Sequence, residues 1–171
     1  SYGTRPELIK LFPLINIFKE NNIDHKTIFT GQHEDLIKEF ENLTHRPDFV
    51  LEKTMKHKQS INSLIYKIIN ESQKIINSYD CKVIIQGDAA SSFAVALSAF
   101  NEGKEVIHVE AGLRTHNLRS PFPEEGFRKM ISHISNIHFC PTIKSVENLK
   151  NEGITENVHL VGNTIVDSCA Q

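Results

Sequence analysis

The sequence of 171 residues is long enough for one domain with a well-buried core, and its composition is that of an ordinary globular protein. A formal net charge of −2 gives no reason to expect nucleic acid or an anionic membrane as a partner, and no apolar run of about 20 residues predicts a transmembrane helix. The three cysteines are widely spaced and form no CxxC pair, and the N-terminus carries no signal-peptide pattern, so we expect a reduced, cytoplasmic protein without a zinc site.

Helices and short apolar strands alternate along the chain. The predicted elements are, in order, a helix from Pro6 with an apolar stripe to Phe18, a strand at 26–30, a weaker helix around 36–43, a short strand at 49–51, a helix at 61–79, a strand at 81–86, a helix at 89–100, a strand at 105–109, a loop at 111–123, a helix at 124–135, a strand at 137–140, a helix at 142–151 and a strand at 158–161. Because the strands are continuous apolar runs separated by helices, the pattern predicts an α/β fold with a parallel sheet covered on both faces.

Polar residues follow several of these strands. Asp88 and Glu110 each come directly after a buried strand, and glycine-containing loops at 3–5 and 31–33 follow others. Ligands of open parallel sheets bind beyond the carboxyl ends of the strands, so we expect these residues to lie on one rim of the sheet.

Each acidic residue of this region also has a simpler interpretation. Asp88 precedes a helix, where it could equally cap the N-terminus. Glu110 closes an apolar strand, a poor position for capping, and desolvation there would favour proton transfer. Glu124 and Glu125 follow Pro123 in a first helical turn, where the helix dipole alone favours acids.

Cations accompany the acids. Arg5 and Lys10 lie near the amides of the first helix N-terminus, an arrangement suited to phosphate, although Lys10 could equally lie on a solvated face. Arg114, Arg119 and Arg128 flank the acidic residues and could bind phosphate or only neutralise carboxylates.

The histidines give no clear metal signature. His33 follows a glycine and could face a ligand or solvent, and His116 lies on the long loop with the same two alternatives. His108 lies inside a strand and is interpreted as a core residue. Asp88 and Glu110 with a histidine could bind a metal, but no compact ligand motif is present, so neither a metal nor a cofactor is expected.

Six motifs resemble, in the same order, those of the non-hydrolysing UDP-N-acetylglucosamine 2-epimerases. They are GTRPELIK (3–10), GQH (31–33), QGDAASS (86–92), HVEAGLRT (108–115), SPFPEE (120–125) and GNTIVDS (162–168). The match extends over essentially the whole chain, and GTRPE favours the non-hydrolysing branch of the family over the hydrolysing one.

The resemblance implies a glycosyltransferase-B-like fold, in which two Rossmann-like domains face each other across a cleft. Residues 1–171 would form the N-terminal domain with a truncated first strand, and residues 163–171 would begin the crossover to a C-terminal domain outside this sequence. This domain alone is expected to be inactive because it supplies one wall of the cleft. The family resemblance also implies a homodimer.

The implied reaction interconverts UDP-GlcNAc and UDP-ManNAc for surface polysaccharide synthesis, with UDP as the species released and recaptured. The C2 proton is removed, UDP leaves by elimination, and the bound 2-acetamidoglucal takes UDP back with inverted configuration at C2. By family match the site residues are the catalytic Asp88, Glu110 and Glu124 and the substrate-binding Arg5, Lys10, Arg114 and Arg128. Which acid serves which step is left open.

Bacterial members of the family can be activated by a second UDP-GlcNAc bound near the GQH loop. Gln32 and His33 are the candidates for that allosteric site here. However, Glu34 and Asp35 follow, and Lys58 stands where an arginine is expected. Because lysine does not reproduce bidentate arginine contacts, the sequence argues against activation.

Two other functional classes could use the same residues. A hydrolysing epimerase or a glycosyltransferase could use the same fold and similar cations. A non-catalytic UDP-sugar-binding domain would retain the binding residues without turnover.

Overall fold

Helices and short strands alternate in the computed structural model, which describes residues 1–31, 46–51 and 59–170. The helices are α1 (Arg5–Glu20), α2 (Ile61–Asn77), α3 (Ala90–Asn101), α4 (Glu124–Ile134), α5 (Ile143–Asn151) and α6 (Ile165–Ala170). The strands are β1 (Ile28–Phe29), β2 (Phe49–Val50), β3 (Val83–Gln86), β4 (Val106–Val109), β5 (Ile137–Cys140) and β6 (Val158–Leu160). The helix predicted around 36–43 lies outside the described residues. In the described ranges, no helix combines the length and apolarity needed to cross a membrane.

All observed strand pairs are parallel, as predicted. The main sheet has the order β3-β4-β5-β6, and β1 pairs with β2. Tyr2 forms a parallel bridge with Phe29, and the amino group of Ser1 donates a hydrogen bond of 2.7 Å to the carbonyl of Ile84. Residues 1–2 therefore lie between β1 and β3.

Side chains of neighbouring strand residues point to opposite faces of the sheet. Apolar side chains therefore lie on both faces, and helices cover both. On β3, Ile85 belongs to the core cluster that includes residues of α2, α3 and α4. The adjacent Ile84 packs instead against a second cluster, which contains Leu8 and Leu11 of α1. The predicted two-sided α/β architecture is confirmed.

Local signals explain where the helices begin. Thr4 and Glu7 form a reciprocal capping box at the start of α1, and the helix continues through Pro13 to Glu20. Ser60 caps α2, since its hydroxyl accepts a hydrogen bond of 3.2 Å from the backbone N–H of Ser63.

The apolar spacing predicts that Phe127, Met130, Ile131 and Ile134 of α4 face inward, and this prediction is partly wrong. Phe127 and Ile131 are buried, but Met130 is 44% exposed. The helix turns a polar stripe inward beside the apolar residues, which rotates Met130 outward. The stripe consists of Glu125, Arg128 and Ser132 and is held by the side-chain hydrogen bonds described below.

Gly112, which follows β4, packs against the first turn of α5 so closely that only glycine fits. Its φ is +83°, and an added Cβ would collide with the backbone carbonyl of Ser145. Left-handed strain and overpacking each cost about 1 kcal/mol or more, so Gly112→Ala is expected to lower the free energy of unfolding by about 2–3 kcal/mol. Urea unfolding measures this loss.

Gly153 provides the matched control. Its φ is +81°, but within the described part of the chain no atom beyond its two chain neighbours lies within 4 Å of an added Cβ. Gly153→Ala therefore carries only the backbone strain and is expected to cost about 1 kcal/mol. Equal losses for the two variants would contradict the close contact with α5.

Candidate functional site

A cavity of about 250 Å³ opens at the carboxyl ends of β3 and β4 and is bordered by the N-terminal turns of α1 and α3. The rim predicted from strand order is confirmed for Asp88 and Glu110, which both line this cavity. The side chains that bring charge or hydrogen-bonding groups to it include Glu7, Lys10, Gln86, Asp88, Glu110 and Arg128.

Glu110 is a largely buried acid of the cavity, and two neighbouring side chains hold it in place. Its side chain is 13% exposed, and Lys10 Nζ lies 2.5 Å from its Oε2. Gln86 Nε2 donates a second hydrogen bond to the same Oε2. Glu110 also has a φ of +67°, a left-handed conformation that is unusual for a non-glycine residue and often found at functional sites. The ammonium group compensates the charge that burial would otherwise penalise.

Asp88 is not a helix cap. The N-cap of α3 is Ala89, and it makes no side-chain capping hydrogen bond. The Asp88 carboxylate instead forms an ion pair of 2.5 Å with Arg128 Nε. The guanidinium also donates from Nη1 to Glu125 at 3.1 Å. Arg128 therefore joins the end of β3 to the first turn of α4.

Glu125 is a buried structural anchor with no exposed side-chain surface. Its carboxylate accepts hydrogen bonds of 3.1 Å from the backbone N–H groups of Thr115 and His116. Burial raises the pKa of Glu125, but these hydrogen bonds and the one from Arg128 outweigh it and lower the pKa overall. For Arg128, burial alone would lower the pKa, but the negative charges of Asp88 and Glu125 outweigh this effect and raise the pKa overall. Glu125 thereby fixes the loop at 111–123 to α4.

Glu7 is a buried residue in the wall of the cavity. One carboxylate oxygen accepts from the backbone N–H groups of Gly3 at 2.6 Å and Thr4 at 2.9 Å. The Ser92 hydroxyl lies 2.9 Å from the other oxygen and 2.8 Å from the backbone carbonyl of Gln86, and its single proton serves one acceptor at a time. Glu7 thus connects α1, α3 and β3 at the point where the site is built.

Two other predicted site residues, Glu124 and Arg5, do not line the cavity. Glu124 is the first residue of α4 and does not line it, and Arg5 begins α1 with an exposed side chain that does not line it either. Gln32 and His33, the candidates for an allosteric site, lie outside the described residues, as do Glu34, Asp35 and Lys58.

Arg114 is a buried structural residue in this arrangement. Its side chain has no exposed surface, and its Nε and Nη2 bind Glu152 at 2.9 and 2.7 Å. The guanidinium also donates to the backbone carbonyl of Leu113 and to the hydroxyl of Ser132. Arg114 therefore ties the loop after β4 to α4 and to the end of α5.

Two further reactive groups, His108 and Cys140, are buried. His108 is 1% exposed, burial lowers its pKa to about 3, and its Nε2 lies 2.9 Å from the carbonyl of Gly87, which is consistent with the predicted core role. Burial raises the pKa of the Cys140 thiol to about 11, which disfavours a nucleophilic role. His116 is exposed on its loop. Within the described ranges, no three His, Cys, Asp or Glu side chains are grouped to hold a metal ion.

Three contributors were not identified as site residues from the sequence: Glu7, Gln86 and Glu125. Glu7 gave a recognisable signal, because Thr-x-x-Glu is a capping box. Glu125, Arg128 and Ser132 are spaced by three and four residues, which indicates a shared helix face. Gln86 ends an apolar strand next to Gly87, and no local pattern indicates which partner its amide meets.

Comparisons with known proteins identify similar sequences and folds. A family model described as UDP-N-acetylglucosamine 2-epimerase matches residues 16–171. The UDP-N-acetylglucosamine 2-epimerase of Salmonella borreze is 39% identical over 171 residues, which cover 98% of this chain and 45% of that protein.

Solved structures give the same result. The crystal structure of the Neisseria meningitidis UDP-GlcNAc 2-epimerase bound to UDP-GlcNAc superposes with a TM-score of 0.90 at 37% identity, over 98% of this chain and 47% of that one. The Methanocaldococcus jannaschii UDP-GlcNAc 2-epimerase in complex with UDP-GlcNAc and UDP also gives a TM-score of 0.90, at 36% identity, over 99% of this chain and 47% of that one. The chain thus spans about half the length of these relatives.

Proposed function

Because this chain belongs to the UDP-N-acetylglucosamine 2-epimerase family, we propose that the protein interconverts UDP-GlcNAc and UDP-ManNAc and that the cavity forms one wall of its active site. The observation that carries the proposal is the pairing of two carboxylates with two cations in one cavity: Glu110 with Lys10, and Asp88 with Arg128. Both pairs lie at the carboxyl ends of adjacent parallel strands, where such sheets bind ligands.

The proposed reaction needs a base and an anion site together. Removal of the C2 proton forms the C1=C2 bond while the C1–O bond breaks and UDP leaves. Re-addition restores the C1–O bond and delivers a proton to the opposite face of C2. The C2 proton is weakly acidic, so a positioned carboxylate is required, and the departing diphosphate gains negative charge that cations stabilise.

The geometry supports an assignment of roles. Glu110 and Asp88 are the proposed proton-transfer groups, because both carboxylates line the cavity. Lys10 and Arg128 are proposed to contact the diphosphate, since each presents a cation beside one of these acids. More than one acid suits an inversion, because protons must be transferred on two faces of the sugar.

Three predicted site residues do not line the cavity and are treated separately. Glu124 is retained as a third catalytic acid and Arg5 as a phosphate ligand on the basis of the family match alone. Arg114 is left out of the substrate contacts, because its guanidinium is fully engaged with Glu152, Ser132 and a backbone carbonyl.

The rest of the assembly is proposed by analogy. The relatives extend well beyond the length of this chain, so we propose that a second Rossmann-like domain completes a glycosyltransferase-B-like cleft and supplies the opposite wall. Homodimer formation and a place in surface polysaccharide synthesis belong to the same proposal.

Product analysis tests the function. The full-length protein is incubated with UDP-GlcNAc, and the sugars are followed by ¹H NMR. We expect UDP-ManNAc to appear until a constant ratio to UDP-GlcNAc is reached, with no net loss of UDP-sugar. Accumulation of free ManNAc and UDP would indicate a hydrolysing enzyme, transfer to an added acceptor would indicate a glycosyltransferase, and binding without turnover would indicate a sensor. Each of these three outcomes contradicts the proposal.

A further inference from the structure

We propose that Gln86 is a positioning residue that anchors one oxygen of Glu110 and leaves the other, Oε1, as the atom that exchanges the C2 proton. The inference rests on the proposed epimerase function and extends it to a residue outside the predicted site. It follows from the distribution of hydrogen bonds over the two oxygens of a single carboxylate.

The two oxygens of Glu110 are not equivalent. Lys10 Nζ and Gln86 Nε2 both donate to Oε2. Among the residues that the structure describes, none donates a hydrogen bond to Oε1. A carboxylate oxygen with two donors is a poorer base than its unbound partner, because its lone pairs already carry hydrogen bonds. Oε1 is therefore the oxygen available to a substrate proton.

Chemistry fixes the orientation of the Gln86 amide. A carboxylate only accepts hydrogen bonds, so the NH₂ end of the amide must face Glu110. The backbone of Gln86 is also held in place, because it pairs in register with Val109 across β3 and β4. Its carbonyl lies 2.8 Å from the Ser92 hydroxyl, and the residue is only 2% exposed. Gln86 therefore presents its donor from a rigid part of the sheet.

Lys10 alone would hold the carboxylate less well. Its ammonium group sits at the end of a flexible side chain and has three protons, so it can turn partly toward a bound diphosphate. Gln86 has no charge to attract the diphosphate and remains on Oε2. It would then keep the left-handed Glu110 residue oriented during the reaction. A displacement of about 1 Å at a reacting group can reduce turnover about 100-fold.

The test compares three substitutions of Gln86 in the full-length protein. Gln86→Met preserves length but removes the donor, and it is expected to lower kcat about 10- to 100-fold with KM changed less than about threefold. Gln86→His restores a donor, because its ε2 nitrogen is the same number of bonds from Cα, and it is expected to recover most of the lost kcat. Gln86→Asn withdraws the amide by one methylene and is expected to behave like Gln86→Met, which keeps the test valid if the methionine variant does not fold.

Gln73→Met is the matched control, because the Gln73 amide donates to Glu102 on the surface at 2.6 Å. Its kcat is expected to equal that of the wild type. If Gln86 only fills space, the kcat of Gln86→Met should equal or exceed that of Gln86→His, and this result would overturn the inference. A kcat within twofold of the wild type for both Gln86→Met and Gln86→Asn would overturn it as well. Inactive wild-type protein would overturn the epimerase function and the inference together, whereas active wild type with unaffected variants rejects the positioning role alone.

Discussion

Replacing Glu110 with glutamine is expected to lower the rate of C2 proton exchange at least about 1,000-fold while UDP-GlcNAc still binds. Glutamine has nearly the same shape as glutamate, but it cannot accept the C2 proton. The substitution also releases Lys10 from its ion pair, so the affinity for the diphosphate should be retained or increased. Exchange is measured by NMR in D₂O and binding by calorimetry.

Glu105 is the matched control for this substitution. It lies just before β4, at the opposite end of the strand that Glu110 follows, and pairs with Lys82 at the surface with 49% of its side chain exposed. Glu105→Gln should exchange the C2 proton at the wild-type rate. If Glu110→Gln kept more than about a hundredth of the wild-type rate, Glu110 could not be the base, because loss of a general base costs at least about 100-fold.

Replacing Arg114 with methionine is expected to lower the free energy of unfolding by about 3–5 kcal/mol, because the change breaks a buried ion pair and leaves one partner behind. Arg114 forms a bidentate ion pair with Glu152 and two further hydrogen bonds, and its side chain is fully buried. Among the described residues, only Lys129, at 3.3 Å, would remain to compensate Glu152. Urea unfolding of the full-length protein measures the change, and Arg119→Met on the exposed loop is the control, with an expected effect within about 0.5 kcal/mol.

Acidification gives an independent check on the same pair. Hydrogen bonds from Arg114 are the main cause that lowers the pKa of Glu152 from 4.5 to about 2. A lowered pKa in the folded state means that the ionised pair stabilises the fold above pH 4.5 and loses this contribution as the pH falls toward 2. The stability difference between wild type and Arg114→Met should therefore shrink over that range. A difference that stays constant would show that Arg114 contributes through packing alone.

Strand order was sufficient to predict much of the site. Alternating helices and apolar strands predicted a parallel sheet, and that topology placed Asp88 and Glu110 on the same rim. This prediction succeeds because the carboxyl ends of parallel strands necessarily meet at one edge. The apolar pattern of each strand and the order of strands and helices along the chain were enough to predict this shared position.

The partners of each charge could not be predicted in the same way. Arg114 and Arg128 both flank the acids in sequence, yet Arg128 pairs with Asp88 at the cavity and Arg114 with Glu152 behind it. The contact between Arg114 and Glu152 spans 38 residues, so nothing local indicates it. Glu124 and Glu125 are adjacent, and the 100° rotation between consecutive helix residues decides which one is buried.

Deuterium labelling tests most directly whether a protein carboxylate removes the C2 proton. The full-length protein is incubated with UDP-GlcNAc in D₂O, and the UDP-sugars are recovered and examined by NMR and mass spectrometry. Solvent-exchangeable carboxyl groups should place deuterium at C2 of both UDP-ManNAc and the remaining UDP-GlcNAc. Formation of UDP-ManNAc that retains its original hydrogen at C2 would contradict the mechanism, and unlabelled UDP-GlcNAc without any UDP-ManNAc after prolonged incubation would contradict the activity itself.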